Sequence, residues 1–232
     1  MSRRHIGIVA VSAEGAALCY RTICAESERV FGRHGHPEIS MHTSPLADYM
    51  PHIAADRWED VGGMLLASAE KLQGAGADLL ICPDNTVHQA LDLVRERSPL
   101  PWLHIAEEVA ASAEARGFRR LLVLGTKYLM EGPVYPAKLR ARGIDSVVPP
   151  PARRAQIDAF IFDELVRGDF REATRAAFRD IIAEGQALGC DAAVLGCTEI
   201  PLIVGERDSP LPALDSTRIL ARAAIRAAAG TD

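Results

Sequence analysis

Two segments of the chain align without a gap at an offset of 113 residues. Residues 76–85 read GADLLICPDN, and residues 189–198 read GCDAAVLGCT. Each segment runs from a glycine through an aspartate and a short apolar stretch to a turn, then to an ionisable residue, Asp84 or Cys197. Such a segment suits a buried strand that ends at a turn before a helix. The repeat predicts that the chain contains two copies of one structural unit.

A second, looser match at a similar offset supports this duplication. It pairs residues 7–12, GIVAVS, with residues 122–126, LVLGT, and each stretch reads as a strand that ends in a small hydroxyl residue. We therefore predict two pseudo-symmetric lobes. The first comprises residues 1–100 with a C-terminal helix in 213–232, and the second comprises 101–212.

Short aliphatic runs alternate with longer alanine-rich stretches along the whole chain. The predicted strands are 6–11, 38–43, 79–82, 102–105, 120–124, 146–148 and 192–195. The predicted helices are 16–31, 58–74, 87–97, 106–116, 156–166, 171–188 and 216–229. Continuous apolar strands between helices are typical of an α/β protein whose mostly parallel sheets are covered by helices on both faces. Pro149, Pro150 and Pro151 predict a rigid loop.

Composition narrows the function classes. The 232 residues carry a net charge of −5 with both signs spread along the chain, which does not indicate nucleic-acid or membrane partners. No apolar run is long enough to span a bilayer or to form a signal sequence. The five cysteines are widely spaced without a CxxC pair, which argues against disulfides and zinc and for a reduced, cytoplasmic protein.

Asp84 and Cys197 carry the functional prediction. Ligands of parallel α/β sheets bind at the carboxyl ends of the strands, so the repeat places these two residues at equivalent ends, facing a cleft between the lobes. Inverting an α-carbon requires a proton to leave one face and another to arrive on the opposite face, which suits two opposed acid/base groups. A helix start after Cys197 favours its thiolate, and partial burial tunes a carboxylate.

Neighbouring polar residues suit substrate binding. Asn85, Thr86 and Thr198 offer amide and hydroxyl donors for a substrate carboxylate and for the carbanion that develops. His88 and Glu199 are supporting residues of the site, and His88 is expected to bond either to Asp84 or to the backbone. Ser12, Thr126 and Tyr128 are further candidate substrate contacts.

The motifs resemble those of the aspartate/glutamate racemase superfamily. Residues 194–201, VLGCTEIP, are similar to its G-C-T-E signature, and residues 83–88, PDNTVH, to its N-T-x-H signature. Supporting matches across nearly the whole chain are 6–8, Ser12 with Glu14, Tyr20 with Arg21, 103–106, 124–131 and 161–165. The resemblance implies a two-base racemase of an acidic amino acid, aspartate or glutamate, without cofactor or metal, and a homodimer.

The chain departs from the family pattern at several positions. Many members have cysteine, and some threonine, where Asp84 stands, so the two faces of the reaction become chemically unequal. Ala10 and Val11 replace a glycine pair after the first strand, and the region of His52 and Ile53 offers no clear partner for a side-chain carboxylate.

Structural roles compete with functional ones at the same residues. Asp84 could simply cap the following helix, Asn85, Thr86 and Thr198 could serve as caps as well as ligands, and Cys197 could be a core residue. Cys82 and His104 are interpreted as core residues.

Two other functions stay open from the residues alone. One is a cofactor-free decarboxylase of malonate-type acids with Cys197 as proton donor, although Asp84 would repel its substrate. The other is a non-catalytic binder of small acids. A maleate-type isomerase is disfavoured because the resemblance to it expects cysteine in place of Asp84.

Overall fold

The computed structural model describes residues 3–205, 207 and 209–231. Within them the chain divides into two units. One runs up to Ile105 and takes in the stretch from Thr217 onward, and the other is Ala106–Ser216. The lobe boundaries predicted after residues 100 and 212 stay a prediction. In the structure, the boundaries between the two units fall after Ile105 and after Ser216. Among the described residues, no helix combines the length and apolar character needed to cross a bilayer.

Eight strands and twelve α-helices are described. The strands are β1 (Ile6–Ala10), β2 (Ile39–Thr43), β3 (Leu79–Ile81), β4 (Trp102–Leu103), β5 (Arg120–Leu124), β6 (Asp145–Val147), β7 (Ala192–Leu195) and β8 (Ala213–Asp215). The helices are α1 (Ala13–Glu26), α2 (Glu28–Phe31), α3 (Leu46–Ala54), α4 (Trp58–Gly74), α5 (His88–Val94), α6 (Ile105–Ala115), α7 (Lys127–Glu131), α8 (Val134–Arg140), α9 (Pro151–Ala159), α10 (Glu172–Ala187), α11 (Ile200–Ile203) and α12 (Ser216–Ala229). Arg95–Arg97 and Leu165–Arg167 form 3-10 turns, and Phe160–Glu164 forms a π-helical turn.

The first unit is built on a four-stranded parallel sheet in the order β2-β1-β3-β4. All five residues of β1 and all three of β3 are buried, as expected for strands covered on both faces. Ile6, Ile8 and Ile81 pack in one core cluster with Ile23 of α1 and Leu220 of α12. The C-terminal helix therefore completes the core of the first unit.

The second unit repeats this arrangement with a parallel sheet in the order β6-β5-β7-β8. Leu122, Leu124 and Leu195 of its central strands pack with Phe178 and Ile182 of α10. The predicted fold class, two α/β lobes with mostly parallel sheets flanked by helices, is confirmed. β8 was not predicted, because it directly follows Pro210 and Pro212 and contains no β-branched or aromatic residue.

The aspartate of the repeat makes the same contact in both units. Asp78 Oδ2 accepts a hydrogen bond from the His5 backbone N–H at 2.7 Å, just before β1 begins. Asp191 Oδ2 accepts one from the Arg119 backbone N–H at 2.6 Å, just before β5 begins. In each unit this carboxylate ties the start of the third strand to the start of the first. The duplication therefore includes the same contact between an aspartate side chain and the backbone in both units.

Prolines explain several differences between prediction and structure. Pro151 was assigned to a rigid loop but is the first residue of α9, a position where its missing N–H costs nothing. The predicted helix 156–166 begins there and ends in the π-helical and 3-10 turns. Pro51 lies inside α3, a helix that was not predicted. A further difference does not involve proline: the predicted helix 16–31 is divided at Ser27 into α1 and α2.

Candidate active site

Asp84 lies three residues beyond the end of β3, in the turn that leads into α5. It is half-buried, and its Oδ1 accepts a hydrogen bond from the Val87 backbone N–H at 3.2 Å. This hydrogen bond lies within the turn: α5 has Val87 as its N-cap and no side-chain cap hydrogen bond, so Asp84 does not cap the helix itself. A carboxylate has several acceptor positions on two oxygens, so this contact is compatible with a second role in proton transfer.

The rest of this turn is tightly held. Asn85 is 3% exposed, its carbonyl accepts from the His88 N–H, and the Thr86 carbonyl accepts from the Gln89 N–H, both at 3.3 Å. The His88 side chain reaches back, and its Nε2 lies 3.0 Å from the Cys82 carbonyl oxygen. Of the two partners predicted for His88, Asp84 or the backbone, this contact is to the backbone.

The negative charge of Asp84 acts on two neighbouring groups, Tyr49 and Cys82, whose pKa values are both raised. The pKa of the Cys82 thiol is raised well above its usual value, first by burial and then by the negative charge of Asp84. Burial, followed by nearby negative charge that includes Asp84, also raises the pKa of the Tyr49 phenol. Tyr49 is fully buried in α3 and was not predicted from the sequence as a residue near the site. The apolar spacing of Leu46, Tyr49, Met50 and Ile53, at i, i+3, i+4 and i+7, would have revealed this helix.

Cys197 occupies the equivalent turn in the second unit, after β7 and Gly196. It is half-buried, and its Sγ donates to Glu199 Oε2 at 2.9 Å. Thr198 Oγ1 donates to the same oxygen at 2.8 Å, and both Thr198 and Glu199 are 3% exposed. The helix that follows, α11, has only four residues, so its dipole favours the Cys197 thiolate less than the sequence predicts. The carboxylate of Glu199 is therefore a direct polar neighbour of the thiol.

Two glycines bring the ends of β5 and β7 together. The Gly196 N–H donates to the Leu124 carbonyl at 2.7 Å. A Cβ at Gly196 would lie 2.7 Å from the Leu124 carbonyl oxygen and 2.6 Å from Leu129 Cδ2, and one at Gly125 would lie 3.0 Å from the Gly196 carbonyl oxygen. Real Cβ atoms do not approach so closely, so glycine is required here for the backbone path that presents Cys197.

Ser12 and Thr126 are helix N-caps in equivalent places. Ser12 Oγ accepts from the Gly15 N–H at 3.2 Å at the start of α1, and Thr126 Oγ1 accepts from the Leu129 N–H at 3.3 Å at the start of α7. A hydroxyl can accept and donate at once, so capping does not preclude contact with a substrate. The half-buried Tyr128 lies beside Thr126, and the Lys127 ammonium sits 5.0 Å from its ring centroid.

The predicted site residues thus form two groups, one in each unit. Ser12 follows β1, while Asp84, Asn85 and Thr86 follow β3, the neighbouring strand of the same sheet. Thr126 and Tyr128 follow β5, while Cys197, Thr198 and Glu199 follow the neighbouring β7. In the described part of the chain, no group of three or more His, Cys, Asp or Glu side chains is arranged to hold a metal ion.

Two like parallel sheets, each with an ionisable residue at the same strand end, define a duplicated α/β protein equipped for acid–base chemistry. The chain belongs to the Asp/Glu/hydantoin racemase family, whose model matches residues 6–224. It is therefore an isomerase of the amino-acid racemase class, as the resemblance predicted.

Individual relatives agree with this assignment. The broad specificity amino-acid racemase RacX of Bacillus subtilis (strain 168) is 23% identical over 193 residues, covering 82% of this chain and 81% of the relative. A crystal structure from Yersinia pestis assigned to the Asp/Glu racemases is 30% identical with a TM-score of 0.88, covering 97% of this chain and 99% of that one. An aspartate racemase homologue from Pyrococcus horikoshii OT3 is 28% identical with a TM-score of 0.84, covering 98% and 99%.

Proposed function

We propose that this protein racemises an acidic amino acid, aspartate or glutamate, by two-base proton transfer at Cα. Asp84 serves one face of the α-carbon and Cys197 serves the other, without a cofactor. The observation that carries the proposal is the equivalence of the turns after β3 and β7, each of which presents one half-buried ionisable side chain.

The protonation states of the two residues are complementary at rest. Because the Cys197 thiol donates to a carboxylate that also accepts from Thr198, a second negative charge on sulfur is disfavoured there. The resting protein therefore pairs a thiol at Cys197 with a carboxylate at Asp84. Asp84 removes the α-proton from one enantiomer and Cys197 supplies a proton to the other face; the reverse reaction starts from the opposite protonation states.

Substrate binding is assigned to the polar groups around these turns. Asn85, Thr86 and Thr198 donate to the substrate carboxylate and stabilise the enediolate character that it gains when the α-proton leaves. Ser12, Thr126 and Tyr128 complete the set of donors. The Ser12 and Thr126 hydroxyls already cap helices, so these two donors are held in place before substrate arrives.

The substrate assignment rests on the family and on relatives whose names include aspartate and glutamate racemases. RacX carries a broad-specificity description, so basic and neutral amino acids belong in the same test. We also propose a cytoplasmic homodimer. The dimer follows from the resemblance, and the location is consistent with five cysteines that all lie in the described part of the chain and form no disulfide there.

The direct test is proton NMR of L- and D-amino acids incubated with the protein in deuterated water. Loss of the α-proton signal together with inversion, read by chiral chromatography, would establish racemisation and name the substrate. If no amino acid exchanges its α-proton, the proposal is wrong. Release of carbon dioxide from a disubstituted malonate would then favour the decarboxylase.

A further inference from the structure

We propose that His104, acting together with His88, is a positioning residue for Asp84. This inference rests on the proposed function, because it assigns His104 to one of the two proton-transfer residues. His104 had been interpreted as an ordinary core histidine. Its contacts connect it instead to the turn that carries Asp84.

The first link is the contact between His88 and the backbone of that turn. His88 Nε2 lies 3.0 Å from the carbonyl oxygen of Cys82, two residues before Asp84. A carbonyl can only accept, so the proton of this hydrogen bond is on Nε2. The bond restrains the peptide that enters the turn, while the Val87 N–H restrains the Asp84 carboxylate at the other end of it.

The second link is the packing of the two imidazoles. The rings of His88 and His104 meet edge to face, with centroids 4.4 Å apart and an interplanar angle of 66°. Both residues are 0% exposed. Neither ring can turn without displacing the other, so the orientation of His88 depends on His104.

The third link is the contact of His104 with Asp92. His104 Nε2 lies 3.6 Å from Asp92 Oδ1, and the Asp92 side chain is 41% exposed. Asp92 follows His88 by four residues in α5, one helical turn along the same face. His104, which comes directly after β4, thus contacts two successive positions on α5 and orients that helix against the end of its own strand.

These links explain why two polar rings are buried where apolar side chains would be cheaper to bury. Burying polar groups costs free energy unless they gain specific partners. Here the Cys82 carbonyl accepts a hydrogen bond from His88, and the Asp92 carboxylate lies 3.6 Å from His104 Nε2, an electrostatic contact beyond hydrogen-bond distance. These contacts lie within the first unit and involve the turn of Asp84.

Loss of these contacts should therefore impair proton transfer on one face of the α-carbon only. Misplacing a catalytic group by about 1 Å can cost on the order of 100-fold in rate. A positioning defect at Asp84 should slow proton removal from one enantiomer and leave the step at Cys197 largely intact. General loosening of the structure would slow both.

The experiment measures α-deuterium exchange of L- and D-aspartate and of L- and D-glutamate separately. The variants are H104F, H88F and H88Q, with D84N to identify the enantiomer that Asp84 serves. H104F keeps the aromatic packing but loses the Asp92 contact, H88F loses the donor to Cys82, and H88Q keeps an N–H donor. As a control, F178L disturbs the buried core of the second unit instead.

We expect H104F and H88F to slow exchange of the enantiomer that D84N also loses, by about tenfold or more. Exchange of its mirror image should stay within about twofold of the wild-type rate. H88Q should recover most of the loss, and F178L should leave the ratio of the two rates unchanged. If H104F does not fold, the H88F and H88Q pair decides.

Equal loss for both enantiomers, or no loss in H104F and H88F, would overturn the positioning role while leaving the racemase proposal intact. Absence of exchange with all four compounds in the wild-type protein, and with every other amino acid of the panel, would overturn both.

Discussion

The thiol of Cys197 donates to the carboxylate of Glu199 across 2.9 Å, and in the repeat Asp84 and Thr86 stand at the aligned positions. Asp84 aligns with Cys197 and is itself the carboxylate of its turn. Each turn therefore contains one carboxylate, Asp84 itself in the first unit and Glu199, which accepts from the Cys197 thiol, in the second. The following predictions test the roles and protonation states that we propose from this asymmetry.

Replacing Glu199 by glutamine should make Cys197 more reactive toward iodoacetamide at neutral pH. The change removes a negative charge next to the sulfur, and two charges about 4 Å apart interact by roughly 1 kcal/mol even in water, which corresponds to about fivefold more thiolate. The measurement is the alkylation rate in a C24S background, because Cys24 is the other half-buried cysteine. An unchanged or slower rate in E199Q would show that Glu199 does not hold the thiol in its protonated form.

Substitutions at Asp84 should separate its hydrogen bond within the turn from catalysis. D84A loses the acceptor for the Val87 N–H and should lower the free energy of unfolding by about 0.5–2 kcal/mol. D84N keeps an oxygen acceptor and should change it by less than about 0.5 kcal/mol, yet it cannot take up a proton. Urea unfolding and chiral assay of inversion provide the comparison. Inversion at the wild-type rate in D84N would leave Asp84 with a structural role in its turn only.

Gly196→Ala should impair the second turn. Its Cβ would meet the Leu124 carbonyl oxygen at 2.7 Å, and relieving that clash must displace the backbone that carries Cys197. We expect a loss of about 1–3 kcal/mol in stability and a lower kcat. Gly63→Ala is the matched control, because a Cβ in that position of α4 meets open space and should stabilise the helix by about 0.5–1 kcal/mol. Both are measured by urea unfolding, and a G196A protein as stable and active as wild type would contradict the close approach of β5 and β7.

The pair formed by Glu26 and Arg222 should stabilise the first unit in a pH-dependent way. The hydrogen bond from Arg222 lowers the pKa of Glu26, so folding favours the ionised carboxylate. Its contribution is present above the pKa of the unfolded chain and is lost as pH falls through the folded value. For this partly exposed pair, R222A should cost about 0.2–1 kcal/mol at pH 7 and close to nothing near pH 3. A constant cost in urea unfolding at both pH values would contradict the assignment.

The sequence predicted the architecture well because the repeat and the buried parallel strands leave strong local signals. Asp84 and Cys197 could be predicted as candidate site residues because each follows the end of a repeated strand. Elements with weak signals were not predicted, among them β8, which follows Pro210 and Pro212, and α3, which contains an internal proline. The contacts of Tyr49 and His104 could not be predicted, because they join segments far apart in sequence through side-chain packing alone.

The central claim, that Asp84 and Cys197 act on opposite faces of Cα, is tested most directly by α-deuterium exchange in D84N and C197A. Each enantiomer of the identified substrate is followed separately by NMR in deuterated water. We predict that both variants lose inversion and that each retains exchange of one enantiomer only, a different one in each variant. Loss of the same enantiomer in both variants, or wild-type inversion in either, would contradict the two-base account.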